Sequence, residues 1–233
     1  LVTSALGTPG IIHLFGDTTL ELPDTIKYVE RFRCENRKTP VLTSRNDQQD
    51  FFELAKQFGP PSRMLRWCCT VFKTGFISKK INSSFRGKTT VRTFYGIRRS
   101  ESKSRNNYER EDNSPKITKQ KVASPIIDWM DYDIWLYIIS SGIDFNDAYR
   151  KGYSRVGCWC CPNNSDWSTM LTDIYFPDLA SRWRAVLYGF AEKTNKTDID
   201  DYVENGKWKT RKGASGLVAR NVAIADTPCN LSD

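Results

Sequence analysis

The stretch GIIHLFGDTTLELPDTIKYVERFR, residues 10–33, contains the first strand and the first complete helix that the sequence predicts. Its apolar start, residues 10–15, has the length of a buried strand and leads to an acidic tip at Asp17. Pro23 then opens a helix predicted to run to about Arg33, because proline is favoured in the first helical turn. A buried strand followed by a helix is the repeating unit of α/β domains.

The same alternation continues downstream. Further strands are predicted at residues 39–44 and 89–95, and helices at about residues 48–58 and 69–81. We therefore expect an α/β fold with an open, mostly parallel sheet flanked by helices.

The second half of the chain changes in composition. Residues 98–121 are rich in Arg, Ser, Lys, Asn and Glu, which favours a loop outside the core. Helices are predicted around residues 134–138 and 177–193, and the last forty residues form a basic accessory region. We expect an α/β domain over residues 1–165 and a helical, basic extension over residues 166–233.

Composition restricts the class of protein. The chain has 233 residues and a formal net charge of +8, which favours polyanionic partners such as nucleotides or nucleic acid. It has no apolar run of 18 residues and no secretory leader pattern, so we expect a cytoplasmic protein without a membrane span. Because the chain does not begin with Met, we expect it to start inside a longer gene product.

The seven cysteines give the sharpest chemical signal. Five of them lie in two clusters, Cys68-Cys69 and Cys158-Trp-Cys160-Cys161. An odd, clustered set is a poor disulfide framework and indicates metal binding or redox chemistry. Four thiolates can hold zinc or a cubane iron–sulfur cluster, and an adjacent pair suits neighbouring irons better than zinc. The alternative is that the cysteines are small buried apolar residues.

A basic motif follows the predicted strand at residues 89–95. The sequence GIRRSES, residues 96–102, places Arg98 and Arg99 side by side. Two guanidinium groups at the carboxyl end of a strand suit bidentate capture of sulfate or phosphate, and ligands of open α/β sheets bind at that edge. The alternative is a solvated charged loop.

Together these motifs resemble the phosphoadenosine-phosphosulfate reductase family, within the adenine-nucleotide alpha-hydrolase (ATP-pyrophosphatase-like) superfamily. The resemblance covers about residues 10–165 and its motifs occur in the family's order. The matching segments are residues 15–18 with 22–25, 68–70 with Lys73, 96–102, 125–129 and 152–158.

The resemblance implies a site. It implies a [4Fe–4S] cluster, with Cys160 as an extra thiol beside the four ligands Cys68, Cys69, Cys158 and Cys161. It also implies an adenine nucleotide as substrate, with the substrate-binding residues Asp17, Lys73, Arg98, Arg99, Ser102 and Arg105. A phosphate loop of the Ser-Gly-Gly-Lys-Asp-Ser type is expected upstream of residue 1, and residues 1–7 are expected to end the helix that follows that loop.

The catalytic cysteine, which is the nucleophile of the family's reaction, departs from the family pattern. Assimilatory reductases carry it in a C-terminal Glu-Cys-Gly-Leu/Ile-His motif, which this chain lacks; its only histidine is His13. Cys229 is the remaining C-terminal candidate, with a spectator thiol as the alternative. Cys34 is expected in the core, and cluster-bound thiolates are not free to attack. Cys160 is therefore the other candidate nucleophile.

The resemblance implies reduction of phosphoadenosine or adenosine phosphosulfate to sulfite through a cysteine thiosulfonate, with a thioredoxin-type reductant. A related alternative is an ATP-dependent sulfurtransferase that inserts sulfur into nucleic acid, by tRNA thiolation or DNA phosphorothioation, with a cysteine desulfurase as partner. Net charge and the basic residues 207–212 favour that alternative. A third hypothesis is a non-catalytic, zinc-stabilised nucleic-acid-binding module.

Overall fold

The computed structural model describes residues 2–7, 10–85, 87, 90–114 and 117–210. In chain order its strands are β1 (His13–Asp17), β2 (Val41–Arg45), β3 (Val91–Phe94), β4 (Glu111–Asn113) and β5 (Gln120–Ala123). Its helices are α1 (Val2–Leu6), α2 (Pro23–Glu35), α3 (Phe51–Phe58), α4 (Trp67–Cys69), α5 (Gly75–Ser84), α6 (Asp131–Ser140), α7 (Asp147–Arg150), α8 (Asp166–Tyr175), α9 (Pro177–Lys193) and α10 (Ile199–Glu204).

The chain divides into two compact units. The cysteine unit consists of Ile12–Ile77 and Asn146–Asp233, and the arginine unit consists of Leu1–Ile11 and Ser78–Phe145. The cysteine unit contains a parallel sheet in which β1 pairs with β2, with His13 opposite Val41.

Helix α3 supplies much of the apolar core of the cysteine unit. Asp50 caps it by accepting hydrogen bonds from the backbone N–H groups of Phe52 and Glu53, and Gly59, at φ 88°, ends it. One face of the helix is buried, and it carries Phe51, Phe52, Ala55 and Phe58. This spacing follows the helical period, which explains why the sequence predicted this helix.

Aromatic rings dominate that core. The Phe51 ring lies 5.5 Å from the rings of both Trp67 and Trp183 and 6.0 Å from Phe72, measured between ring centroids. Trp67 begins α4 and Trp183 lies on α9, so the core joins α3 and the neighbouring α4 to α9, which is distant from both in sequence.

The C-terminal region differs from the expectation of an accessory tail. Tyr202 and Val203 on α10 are buried in the same core, as is Trp208 in the short helical turn that follows. Lys209 is only 7% exposed, and its Nζ lies 3.1 Å from Asp166 Oδ1. Residues 194–210 therefore include core elements, and residues 211–233 lie outside the described residues.

The arginine unit contains a three-stranded sheet in the order β3-β5-β4. β3 and β5 are parallel, and β4 runs antiparallel on the other side of β5. The polar Gln120 is buried because its side chain donates to Thr93 Oγ1 at 2.8 Å and to Tyr95 Oη at 2.9 Å. β4 and the start of β5 fall inside residues 98–121, so the prediction that this whole stretch is a loop is wrong.

The α/β prediction with mostly parallel strands is confirmed, although the strands of the described residues form two sheets. Helices α7, α8 and α10 were not predicted. The domain boundary predicted at residue 165 stays a prediction. Within the described ranges, no helix is long and apolar enough to cross a membrane.

Candidate functional site

The tip of β1 begins the site in the cysteine unit. Asp17 ends the strand and is buried; its Oδ1 accepts a hydrogen bond from the Thr19 backbone N–H at 2.8 Å, and its Oδ2 pairs with Arg45 at 3.2 Å. The turn holds Thr19 at φ 67°, a left-handed conformation that β-branched residues rarely adopt. Asp17 therefore helps to shape this turn, and its predicted contact with substrate stays a prediction.

The residue after Asp17 connects this turn to the second cysteine cluster. Thr18 Oγ1 lies 2.8 Å from Glu21 Oε1 and 3.3 Å from Cys158 Sγ, and the Thr18 backbone N–H donates to Glu21 Oε2 at 3.0 Å. Glu21 and Cys158 also pair through an isolated antiparallel bridge. Burial raises the pKa of the Glu21 carboxyl, and the hydrogen bond from Thr18 opposes that shift.

The loop at residues 158–161 is held by backbone hydrogen bonds. Trp159 N donates to Leu20 O at 2.9 Å, and Cys161 N donates to Cys158 O at 3.1 Å. Asn164 Nδ2 reaches back to the carbonyl oxygens of Cys158 and Trp159 at 3.1 and 2.9 Å. These contacts fix how the loop presents its thiols to the β1 turn.

The two cysteine clusters lie near enough to influence each other electrostatically. The pKa of the Cys68 thiol is raised well above its usual range, first by a hydrogen bond with Cys69, then by burial and by its neighbours, which include Cys158 and Cys160. Burial raises the pKa of Cys158 to about 11, and Cys161 adds to that shift. Burial likewise raises the pKa of Cys160 well above its usual range. These three thiols are therefore protonated near neutral pH, and binding a metal through them would release protons.

Lys73 is the cationic residue predicted for this site. It lies on a π-helical segment, Thr70–Thr74, directly after the Cys68-Cys69 pair, and its side chain is exposed. Its positive charge lowers the pKa of Cys158 and so opposes the effect of burial. π-helical turns often occur at functional sites because they shift side chains out of helical register.

The thiols fit an iron–sulfur cluster in donor type, since thiolates bind soft metals and cluster irons. These donors come from two distant segments of the chain, which influence each other electrostatically. As placed, no group of three or more His, Cys, Asp or Glu side chains in the described part of the chain is spaced to hold a metal ion. A cluster would therefore require the thiol side chains to turn toward a common centre.

The predicted anion-binding residues lie in the arginine unit, and carboxylates already contact them. Arg98 Nη2 lies 2.6 Å from Asp131 Oδ1, and Arg98 Nε lies 3.5 Å from Glu101 Oε1. Arg99 pairs with Asp128. The Arg98 side chain is 14% exposed, and its Nη1 is buried with no hydrogen-bond acceptor in the described structure.

Two further predicted residues lie in the same loop. Arg105 pairs with Glu101, which it shares with Arg98. Ser102 Oγ accepts a weak hydrogen bond of 3.3 Å from the Arg105 backbone N–H. The loop therefore brings together the predicted residues Arg98, Ser102 and Arg105, and their contact with substrate stays a prediction.

The cysteines outside the proposed ligand set are Cys34, Cys160 and Cys229. Cys34 is exposed on α2, so the expectation of a core position is wrong: it sits near the end of an amphipathic helix, on the solvent side. Cys160 is 5% exposed. Cys229 lies outside the described residues.

Sequence reasoning missed Thr18 and Glu21 as site residues. Thr18 lies in a segment that carries the family resemblance, directly after a strand tip, and that position is the signal that could have found it. Glu21 had no local signal, because only the tertiary structure places its carboxylate beside Cys158.

Comparison with known proteins finds one matching family and several relatives. The profile of the phosphoadenosine phosphosulfate reductase domain matches residues 2–164. An uncharacterized protein of Methanocaldococcus jannaschii is 32% identical over 90% of this chain and 42% of its own length. The adenosine 5'-phosphosulfate reductase of Neisseria meningitidis serogroup A is 29% identical, over 65% of this chain and 58% of its own length.

A solved structure is also similar. The phosphoadenylyl-sulfate reductase from Candida auris, in a phosphate complex, aligns with a TM-score of 0.46 and 15% identity, covering 63% of this chain and 68% of that chain. The chain spans less than two thirds of the length of the two curated relatives described above.

Proposed function

The chain belongs to the phosphoadenosine phosphosulfate reductase family, whose profile matches residues 2–164, and from this premise we propose that it binds a sulfonucleotide and reduces it to sulfite. The family membership predicted from the motifs is confirmed. The observation that carries the proposal further is that thiols from two distant segments interact electrostatically, Cys68 with Cys158 and Cys160, and that the Lys73 charge acts on Cys158.

We propose that thiols from both segments hold a [4Fe–4S] cluster. Its ligands would be Cys68, Cys69, Cys158 and Cys161, while Cys160 would remain a buried neighbour. When bound, the cluster would supply fixed charge and need not change oxidation state. Thr18 Oγ1, 3.3 Å from Cys158 Sγ, would donate to that sulfur as a thiolate by giving up its hydrogen bond to Glu21 Oε1.

Metal analysis tests the cluster. Protein purified without oxygen should contain iron and sulfide at about four each per chain. Replacing any of the four proposed ligands by serine should remove the iron. Cys34→Ser is the matched control, since that thiol is exposed on α2, and it should keep the iron. Tightly bound zinc without sulfide would contradict the cluster.

We propose that Arg98 and Arg99, with Ser102 and Arg105, bind the anionic groups of the sulfonucleotide. The buried Nη1 of Arg98 supports this role, because it is a charged donor that finds no acceptor among the described residues. An incoming anion would compete with Asp128, Asp131 and Glu101 for these guanidinium groups.

Isothermal titration with a sulfonucleotide tests the arginines in the full-length protein. Arg98→Ala and Arg99→Ala should each weaken binding by roughly 1.5–3 kcal/mol, the contribution of a hydrogen bond to a charged group. Arg92→Ala is the control, because Arg92 is an exposed arginine on β3 in the same unit. Equal affinities in all four proteins would contradict the assignment.

In the proposed reaction a cysteine thiolate attacks the sulfur of the sulfonucleotide. An S–S bond forms, the S–O bond to the nucleotide phosphate breaks, and the nucleotide leaves with the bonding electrons. A thioredoxin-type dithiol then releases sulfite from the thiosulfonate and is itself oxidised to a disulfide.

Cys229 is our candidate for the nucleophile. Cys160 is the poorer candidate, because its burial raises its pKa and blocks the approach of a substrate. Without reductant, the intact protein should form a covalent sulfonate adduct on Cys229 that mass spectrometry detects. Cys229→Ser should abolish the adduct and Cys34→Ser should not.

The same assay separates the sulfurtransferase alternative. ATP-dependent pyrophosphate release stimulated by RNA or DNA, without sulfite from either sulfonucleotide, would replace our proposal with that activity. The basic residues 207–212 support the sulfurtransferase alternative less than the sequence suggested, because Trp208 and Lys209 in that stretch are buried.

A further inference from the structure

Helix α6, in the arginine unit, is apolar around most of its circumference, yet none of its residues is buried. Its longest apolar run is IWLYII, residues 134–139. A helix with apolar side chains on all sides normally lies inside a core. Here the helix leaves apolar side chains in contact with water, which is unfavourable unless another surface covers them.

One side of α6 is held by aromatic neighbours within the same unit. The ring of Trp135 packs edge-on against Phe145, with the ring centroids 5.3 Å apart, and the ring of Tyr137 packs against Trp129 at 5.6 Å. Ile138 is half-buried on the same side. These contacts fix the rotation of the helix about its axis, so the opposite side faces solvent.

That opposite side carries an apolar stripe, which we call the α6 stripe. It consists of Tyr132, Leu136, Ile139 and Ile143, with exposed fractions of 72%, 53%, 72% and 39%, respectively. The first three are spaced by four and three residues, which aligns them on one helical face. Gly142, at φ 60°, ends the helix, and the backbone N–H of Ile143 donates to Ile138 O at 3.0 Å. This turn keeps Ile143 beside the last turn of α6.

The α6 stripe has the area of a small but specific interface. It exposes on the order of 500 Å² of side-chain surface, so pairing with an equal surface would bury roughly 1,000 Å² in total, the lower limit of specific interfaces. Apolar patches of this size on a protein surface often mark interaction sites. An area at the lower limit predicts reversible association.

The charges of α6 favour a second copy of this chain as the partner. No member of the α6 stripe is charged, so the stripe offers nothing that would select an acidic or a basic partner. An uncharged apolar stripe is complementary to itself, and identical surfaces pair across a two-fold axis.

The same charges determine the direction of pairing. Asp131 and Asp133 lie in the first turn of α6, and the last turn has no basic residue. Parallel helices would place the two acidic turns side by side, where they would repel each other. Antiparallel helices place them at opposite ends and also align the two helix dipoles favourably.

We propose that α6 is the interface of a homodimer, in which the α6 stripes of two copies pair in antiparallel orientation. The two-fold axis would pass between Leu136 and Ile139, so that Leu136 of each copy faces Ile139 of the other. Tyr132 of each copy would then face Ile143 of the other. The proposal does not depend on the proposed reductase function, because it rests on no residue of that site.

Sedimentation equilibrium of the full chain tests the dimer. The wild type should show a reversible equilibrium between monomer and dimer. Leu136→Glu combined with Ile139→Glu should raise the dimer dissociation constant by about tenfold or more, because pairing would bury carboxylates without partners. Both positions are exposed, so the variant should keep the circular dichroism spectrum and the urea midpoint of the wild type.

The control uses a second helix of the same chain. Met170 and Ile174 are 41% and 60% exposed and lie one turn apart on α8, in the cysteine unit. Met170→Glu combined with Ile174→Glu adds the same charge to exposed apolar positions. It should leave the dissociation constant of the dimer unchanged.

A pair of complementary variants tests which residues face each other. Leu136→Lys and Ile139→Glu should each weaken self-association. When the two variants are mixed, the introduced lysine of one copy would face the introduced glutamate of the other, while the second contact stays apolar. Energy transfer between differently labelled copies should therefore show that the mixed dimer is more stable than either variant's own dimer.

Four results would overturn the proposal. The first is a wild-type chain that stays monomeric up to about 1 mM. The second is a dimer that survives the double change on α6, which would place the interface elsewhere. The third is an equal loss of dimer in the α8 control, which would reveal non-specific apolar association. The fourth is a mixture of the complementary variants that associates no better than each variant alone.

Discussion

Asp24→Asn should lower the free energy of unfolding by roughly 1.5–3 kcal/mol, because it removes a charge-assisted hydrogen bond from a buried carboxylate. Asp24 lies in the first turn of α2, and Lys151 Nζ donates to its Oδ2 at 2.7 Å. Asparagine keeps the shape of the side chain, so the change tests the charge and not the packing.

The magnitude follows from the burial of the two partners. The Asp24 side chain is 8% exposed and the Lys151 side chain is 30% exposed. Breaking a fully buried pair costs about 3–5 kcal/mol, whereas an exposed pair contributes about 0–1 kcal/mol. The pair lies between these limits, since water reaches Lys151 and can solvate the ammonium group that the substitution leaves without its partner.

Urea unfolding of the wild type and the variant measures the effect. The slope with denaturant should be unchanged, because the exposed surface hardly differs. Lys151→Met, alone and combined with Asp24→Asn, completes a double-mutant cycle that isolates the pair. Asp178→Asn, an exposed aspartate in the first turn of α9, is the control. A loss below about 0.5 kcal/mol for Asp24→Asn, or a coupling energy near zero, would refute this reasoning.

Three further predictions concern the cysteine unit. Burial lowers the pKa of His13 in the folded protein below its usual 6.5, so on acidification the unfolded chain takes up the proton first. The free energy of unfolding should therefore fall as pH drops through 6.5 and level off below the pKa of the folded protein. NMR of this single imidazole measures that pKa, and a midpoint at or above 6.5 would contradict the prediction. Phe51→Ala should destabilise by about 3–5 kcal/mol in urea unfolding, since it empties the centre of the aromatic core; a loss under about 1.5 kcal/mol would show that the core collapses around the gap. Asp50→Ala should cost about 1 kcal/mol in thermal unfolding by removing the α3 cap, whereas Asp50→Asn, which keeps a capping oxygen, should cost less.

Local patterns were sufficient for the elements that build the framework. The apolar run before Asp17 predicted β1, and the periodic apolar residues of α3 predicted that helix to within a few residues. The grouping of the cysteines and the Arg98-Arg99 pair predicted the family, which the profile match confirms. The sequence could predict these features because strand alternation, helical periodicity and motif spacing are properties of consecutive residues.

Other features depend on contacts between distant residues. Gln120 is buried because Thr93 and Tyr95 accept its hydrogen bonds, and no hydrophobic pattern marks that position. The sequence predicted that Trp208 and Lys209 belong to a basic accessory region. In the structure Trp208 packs against Trp183 in the aromatic core, and Lys209 pairs with Asp166. In each case partners far along the chain, and not the neighbouring residues, determine the burial.

By itself the sequence determined the fold class, the family and the types of chemical group available: thiols, guanidinium groups and one lysine beside the cysteine pair. Only the tertiary structure decided which of them meet. It brings Cys68 within electrostatic range of Cys158, places Thr18 and Glu21 against that loop, and pairs the predicted anion-binding arginines with carboxylates. The physical reason is that hydrogen bonds, ion pairs and desolvation act through space over a few ångströms, and sequence separation carries little information about such distances.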